Sequence, residues 1–206
     1  DALPISGQTP LMWAAANGRL DNMALLMKAG ADVNRATLKG FTPLFFAIKS
    51  KEPKAAQALL DAGADRSHTA ADGTSAVQLA VYQRRFELAR QLVGMGVDLK
   101  AWDRNGEQLL HAATAAGDEA FVDLLLAKGA NPNALTGPSR VEKRRERNQG
   151  GVLPKEAPVT PLLIAAREGS DSLMRRLVGA GARPDFRAED GVNVLLAAAS
   201  SRKTPA

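Results

Sequence analysis

The chain has 206 residues and no cysteine. That excludes disulfides, thiolate metal sites and cysteine nucleophiles together, and leaves the compartment, exported or cytoplasmic, open. Aromatic residues are scarce, 4% against 45% hydrophobic. The apolar content is therefore mostly Ala and Leu, which suits closely packed short helices better than a sheet core. No apolar run approaches the roughly 18 residues of a membrane-spanning helix, so no membrane insertion is expected. There are only two imidazoles, His68 and His111. No His-x-x-x-His, His-Glu-x-x-His or calcium-loop spacing exists, so no metal site is expected. Gly94-Met95-Gly96 lacks the Lys-Ser/Thr of a phosphate loop, and no cofactor is expected. The chain begins at Asp1 without Met or an apolar leader, which reads as a mature form or a fragment.

Net charge is +5. Arg140, Lys143, Arg144, Arg145 and Arg147, against Glu142 and Glu146, put over half of that excess in one short run. The rest is nearly balanced. No basic stripe runs along the body, which weakens a nucleic-acid reading.

What is present is a period. Gly7, Gly40, Gly73 and Gly106 stand 33 residues apart, and the period resumes at Pro158 and Gly191. A fixed period of this size marks a solenoid of small stacked units. Each unit opens on a turn, as at Asp72-Gly73, Asn105-Gly106 and Asp190-Gly191, with Lys39-Gly40 the weak member. Thr9-Pro10, Thr42-Pro43 and Thr160-Pro161 follow, an N-cap and first helical residue. A short Ala-rich helix comes next, as at Leu11–Ala16 and Leu110–Ala115. Asn17-Gly18, Ala116-Gly117 or Glu168-Gly169 breaks it. In the third unit Arg84-Arg85 stands there, and the local loop is expected to differ.

A longer amphipathic helix then spans Asp21–Ala29, Pro53–Ala62, Phe86–Met95, Glu119–Lys128 and Ser172–Ala180. Its leucine pairs Leu25-Leu26, Leu59-Leu60 and Leu124-Leu125 lie at core spacing. It ends at Gly30, Gly63, Gly96, Gly129 and Gly181, where a left-handed residue is usual. Asp32, Asp65, Asp98 or Asn131 follows two residues later.

Thr-Pro-Leu, Ala-Ala, a Leu-rich helix and Gly-Ala-Asp-x-Asn together resemble the ankyrin repeat. The resemblance covers repeats at about 4–36, 37–69, 70–102, 103–135 and 155–187, with a partial one at 188–206. It implies an all-α solenoid of helix–turn–helix units with β-hairpin fingers, forming a single domain at 1–206. It also implies a non-catalytic scaffold that binds another protein through finger tips and the concave face of the first helices. His111 falls on the family's Thr-Pro-Leu-His histidine and is expected to be structural. Met12, Phe45, Gln78, Leu163 and Leu196 fill that slot elsewhere, so its polar network should be mostly absent. Ala, Gly and Arg usage also looks like exported bacterial ankyrin proteins, some joined to cytochrome-type domains. The chain could then be the regulatory or localising region of a larger protein. It has no Cys-x-x-Cys-His, so any haem would lie outside it.

Gly106 to Pro158 spans 52 residues instead of 33, placing 19 extra residues at about 136–156, in a finger. Rich in Gly, Pro and charge, that loop is expected to be exposed and mobile, with a short helix open to Arg140–Asn148. Two readings stand. The loop touches an acidic partner, a phosphate or nucleic acid, or it is solvated without a partner.

Candidate partner contacts are long or aromatic side chains at finger and first-helix positions. Leu38, Lys39 and Phe41 surround one finger turn. Trp102, Arg104 and Glu107 surround another, and Tyr82 and Gln83 close a first helix. Trp13 occupies a slot usually filled by core leucine and is read as core. His68 is read as a surface residue. Met12, Trp13, Met23 and Met27 at one end, and a lone helix Val194–Ala199 at the other, are not the polar caps a solenoid needs. Further repeats, another domain or a second copy are expected there.

Overall fold

A computed structural model of the chain describes residues 7–138 and 157–200. It divides into two compact units, Asp1–Asp98 and Leu99–Ala206.

The first unit holds three helix pairs: α1 Pro10–Ala16 with α2 Leu20–Lys28, α3 Pro43–Lys49 with α4 Pro53–Asp61, and α5 Ala76–Tyr82 with α6 Phe86–Gly94. Thr9 and Ser75 cap α1 and α5 through their hydroxyls. Proline opens α1, α3 and α4, where its missing N–H costs nothing. Within each pair the helices pack together, and α3 stands between α1 and α5. The buried layer is small: Leu11, Met12, Ala14 and Ala15 on α1, then Leu44, Phe45, Ala47 and Ile48 on α3.

The second unit holds α7 Leu109–Ala116, α8 Glu119–Ala127, α9 Pro161–Arg167, α10 Asp171–Gly179 and α11 Val194–Ala199. Here α9 packs between α7 and α11, and α8 meets α10. The helices start and stop within a residue or so of their sequence-based bounds. Every second helix ends on a left-handed glycine, with φ from 82° to 93°.

Between repeats the chain forms fingers. Among the described residues no strand forms, only the isolated bridges Thr69 to Ser75 and Arg187 to Asn193. Each tight finger carries two backbone bonds across the turn: the glycine amide donates back to the carbonyl of residue 37, 70, 103 or 188, and the amide of that same residue closes the loop. Thr37 donates to Phe41 at 3.0 Å, Ala70 to Thr74 at 2.8 Å, Asp103 to Glu107 at 3.0 Å and Ala188 to Val192 at 2.8 Å. The amide after the turn always finds a side-chain acceptor as well. Thr37 Oγ1, Asp72 Oδ1, Asp103 Oδ1 and Asp190 Oδ1 accept from residues 41, 74, 107 and 192. This explains why Lys39-Gly40 works as well as Asp-Gly: Thr37 supplies the acceptor, and Gly40 is left-handed like the others.

The fourth finger is the expanded one. Thr136 donates to the Val159 carbonyl at 3.0 Å, and Val159 donates to Thr136 Oγ1 at 3.0 Å. The closing bond expected of a tight turn survives with 22 residues between its ends. Pro158 in place of glycine therefore does not break it. The readings of Arg140–Asn148 as a short helix and of the loop as mobile lie outside the described residues.

Consecutive repeats are clasped by side chains from the Gly-x-Asp-x-Asn segment. Asn34 donates to the Gly63 carbonyl at 3.2 Å and accepts from the Asp65 amide at 2.7 Å. Asn133 does the same across the expanded finger, with Gly181 and Arg183, both at 2.8 Å. In the second repeat Ser67 replaces the asparagine, and Arg66 Nε reaches the Met95 carbonyl instead, at 3.1 Å.

Three expectations are corrected. Arg84 adopts φ 55°, close to Gly18 at 63° and Gly169 at 64°, so its turn keeps the glycine geometry and bears the strain. Only one leucine of each pair is deeply buried where the pairing holds, Leu59 and Leu125, while Leu25 is exposed. The histidine-slot network is also fuller than expected. Gln78 Oε1 accepts from the Ser75 amide at 2.9 Å, and Met12 Sδ from the Thr9 amide at 3.4 Å.

Candidate partner-binding surface

In the first unit the finger tip is open. Leu38 is 86% exposed, and Lys39 is exposed beside it. Phe41 is half-buried, its ring 5.7 Å from that of Phe45. His68 belongs to this cluster and is no plain surface residue. Its Nε2 lies 2.8 Å from the Gly40 carbonyl, and its ring meets Phe45 edge-on at 6.3 Å. It ties one finger to the next, as does the Ala71 amide donating to the Lys39 carbonyl.

Tyr82 and Gln83 are exposed at the far end of α5. The length of that helix, about 10 Å, separates them from the fingers, so the proposed contacts of this unit form two groups.

Trp13 is 55% exposed, contrary to its reading as core. The buried side of α1 is taken by Leu11, Met12, Ala14 and Ala15, and small residues there let α2 and α3 approach. Its repeat equivalents on α3 and α5 are Phe46 and Leu79, both half-buried. Trp13, Phe46 and Leu79 thus form an apolar stripe on three stacked helices. The signal in the sequence is a slot that is apolar three times running, a pattern that fits a core position and an exposed stripe alike.

In the second unit Trp102 is 48% exposed and Arg104 is exposed, while Glu107 is half-buried. The indole of Trp102 lies against Gly137 so closely that a Cβ there would sit 2.8 Å from the ring. Gly137 in turn donates to the Gly106 carbonyl at 2.7 Å. Trp102 therefore stands at the root of the expanded finger. Arg140, Lys143, Arg144, Arg145 and Arg147 lie outside the described residues. Asp103, which sequence reading passed over, is buried and holds the preceding finger, 103–107, by accepting from Asn105 and Glu107 amides at 2.9 and 2.8 Å. Its equivalents Thr37 and Thr136 carry the same acceptor and were the available signal.

His111 is fully buried, as the structural reading requires. Nδ1 accepts from the Gln108 amide at 3.2 Å, and Nε2 lies 3.0 Å from the Ala134 carbonyl. Burial pushes its pKa below the ordinary value, outweighing those backbone bonds. A neutral imidazole locked on both nitrogens is a brace. Among the described residues no group of His, Asp or Glu could hold a metal ion, and no helix is long and apolar enough to cross a membrane.

The second helices of this unit carry charges across the repeat joint. Arg176 on α10 pairs with Asp123 and Glu119 on α8, the latter at 2.9 Å, and Ser172 also donates to Glu119. These bonds hold Glu119 below the usual carboxylate range, Ser172 first and Arg176 next.

Stacked helix pairs, left-handed glycine stops and fingers braced by side-chain acceptors define a helical repeat protein. The model of the family described as ankyrin repeats (3 copies) matches residues 1–70 and 62–136. The chain belongs to the ankyrin repeat family. Such repeats are generally protein–protein interaction modules and are typically non-catalytic. None of the curated proteins compared with the chain matches it. The helix pair α9–α10 lies beyond the matched residues, yet repeats the same elements.

Proposed function

We propose that the chain is a non-catalytic scaffold that binds another protein through its finger tips and the exposed faces of its first helices. One observation carries this reading. Large apolar side chains remain open at Leu38, Trp13, Tyr82 and Trp102, on elements braced by finger bonds and helix packing. Aromatic anchors on a rigid frame bind at low entropic cost, because few rotors have to be frozen.

The test uses the whole chain as bait. A captured partner is then titrated against Leu38→Ala, Tyr82→Ala and Trp102→Ala. Each substitution is expected to lower affinity by about tenfold or more, with thermal unfolding nearly unchanged in Leu38→Ala, whose side chain is 86% exposed. Unchanged affinity in all three sinks the reading.

A further inference from the structure

The turns that join first to second helices differ in charge between the two units. In the first unit they comprise residues 16–20, 49–53 and 82–86. They carry Arg19, Lys49, Lys51 and Arg84, all exposed, and Arg85, half-buried. Glu52 is the one acid among them, and its Oε1 accepts from the Lys54 amide at 3.0 Å. The equivalent turns of the second unit, 115–119 and 167–171, carry Asp118, Glu119, Glu168 and Asp171 against Arg167 alone. Extending each window by one residue adds Asp21, Lys54 and Glu87 to the first unit and no charge to the second. The contrast survives.

The basic turns form a continuous row. A Cβ on Gly18 would run into the Glu52 side chain, so the first two turns touch. Arg85 donates to the Ser50 carbonyl at 2.5 Å, joining the second turn to the third. Arg84 keeps its place at the cost of a left-handed backbone, and its guanidinium stands over the Phe86 ring, 5.6 Å from the centroid.

Beside this row lies the apolar stripe. Phe46 and Leu79 sit three residues before Lys49 and Tyr82, hence on the same helix face one turn away. Trp13 holds the same place on α1. The surface is therefore an apolar band with a basic margin. Three backbone-linked repeats hold it.

We propose that this face docks an acidic polypeptide segment bearing apolar side chains, seated with those side chains on Trp13, Phe46 and Leu79 and its carboxylates along the turn row. The assignment rests on the protein-binding reading above and names the chemistry of the partner. Phe46 is half-buried and Leu79 is aliphatic, and the cations stay at one margin of the band. Nucleic acid would call for cations tracking a backbone across the face and open aromatic platforms for bases.

The probe is a fluorescent peptide of Glu and Leu with leucines at helical spacing, titrated against the full chain by anisotropy. Its comparators are the Lys/Leu counterpart, a polyglutamate of equal length and an oligothymidylate. The Glu/Leu peptide is expected to bind best. Its affinity should fall about tenfold or more in Lys49→Glu/Arg84→Glu and in Trp13→Ala, and stay unchanged in Lys128→Glu, an exposed cation of the second unit. Arg84→Gly serves as the folded control for the turn. Equal binding of the Lys/Leu peptide or of polyglutamate overturns the proposal, as does preference for the oligothymidylate. So does full affinity in the charge-reversed variant, or no binding of the Glu/Leu peptide. If Leu38→Ala or Trp102→Ala still weakens a captured partner in that case, the scaffold reading stands and only the acidic-segment assignment falls.

Discussion

The finger from Ala70 to Thr74 in the first unit and the finger from Thr136 to Val159 in the second close on the same backbone bond, at 2.8 and 3.0 Å. Three residues lie between the ends of one, and 22 between the ends of the other. The bonds that align neighbouring repeats lie outside the turn, in the Asn34 and Asn133 clasps and in the helix contacts, so the turn can grow without disturbing them. The clasps join residues 29 and 48 apart in sequence. By loop-closure entropy the longer separation costs only roughly 0.4 kcal/mol more. That is less than one net hydrogen bond. The comparison teaches that the repeat skeleton is shared and that the units diverge on their surfaces: an apolar stripe with a basic margin on one, an expanded finger rooted at Trp102 on the other.

The sharpest way to break the comparison is at that root. Gly106 is left-handed, and a Cβ on it would run into the Gly137 carbonyl. Gly106→Ala is expected to cost about 3 kcal/mol or more, left-handed strain plus a backbone clash. Gly191→Ala, equally left-handed but facing open space, should cost only about 1 kcal/mol. Chemical denaturation of the two variants gives the ratio, and equal losses would mean the root is not tight.

Next in size are the clasps. Asn133→Ala and Asn34→Ala each remove two bonds and should each cost about 1–2 kcal/mol. They are expected to agree within roughly 0.5 kcal/mol, because the extra residues add so little closure entropy. A much larger loss at Asn133 would show that the expanded finger weakens its joint.

Arg84→Gly should stabilise the first unit by about 0.5–1 kcal/mol, read as a higher midpoint in denaturant. Destabilisation would mean that the guanidinium on Phe86 outweighs the backbone strain.

The smallest effect is a slope. The folded-state pKa of His111 lies below the unfolded value of 6.5, so the unfolded chain binds more protons between the two. Stability should be fully present above 6.5 and decline as the pH falls through that window. The slope should vanish in His111→Gln. Asp65, held below its ordinary 3.8 by Ser67, loses its contribution only at lower pH, so the two steps separate.

Much of this fold was legible in the sequence. Thr9, Ser75 and Thr160 set helix starts by a hydroxyl on a first-turn amide, whereas Thr42, expected to do the same, makes no cap bond and α3 starts on the fixed φ of Pro43. Glycines set the stops. The cross-repeat reach of Asn34 and Asn133 was not legible, since a motif spacing shows neither which carbonyl is satisfied nor that it belongs to the next repeat. Trp13 misled because hydrophobicity at a periodic slot does not distinguish a core position from an exposed apolar stripe. Arg84 misled because its residue type forbids nothing outright, and the neighbouring turns impose the left-handed geometry at moderate cost. Exposure of Leu38, Tyr82 and Trp102 was legible from finger and helix-end positions. The turn-row charges were also in plain sight, but only the contacts of Gly18 with Glu52 and of Arg85 with Ser50 make them one row.

The central claim is that the expanded finger is a surface addition to an unchanged repeat skeleton. Joining Gly137 to Val159 through a short Asp-Gly turn, in place of residues 138–158, tests it directly. Gly137 is kept because its contact with Trp102 leaves no room for a side chain. Hydrogen exchange of the trimmed chain should show the amides of α7 to α10 protected as in the parent. Loss of protection in α9 and α10 would contradict the claim.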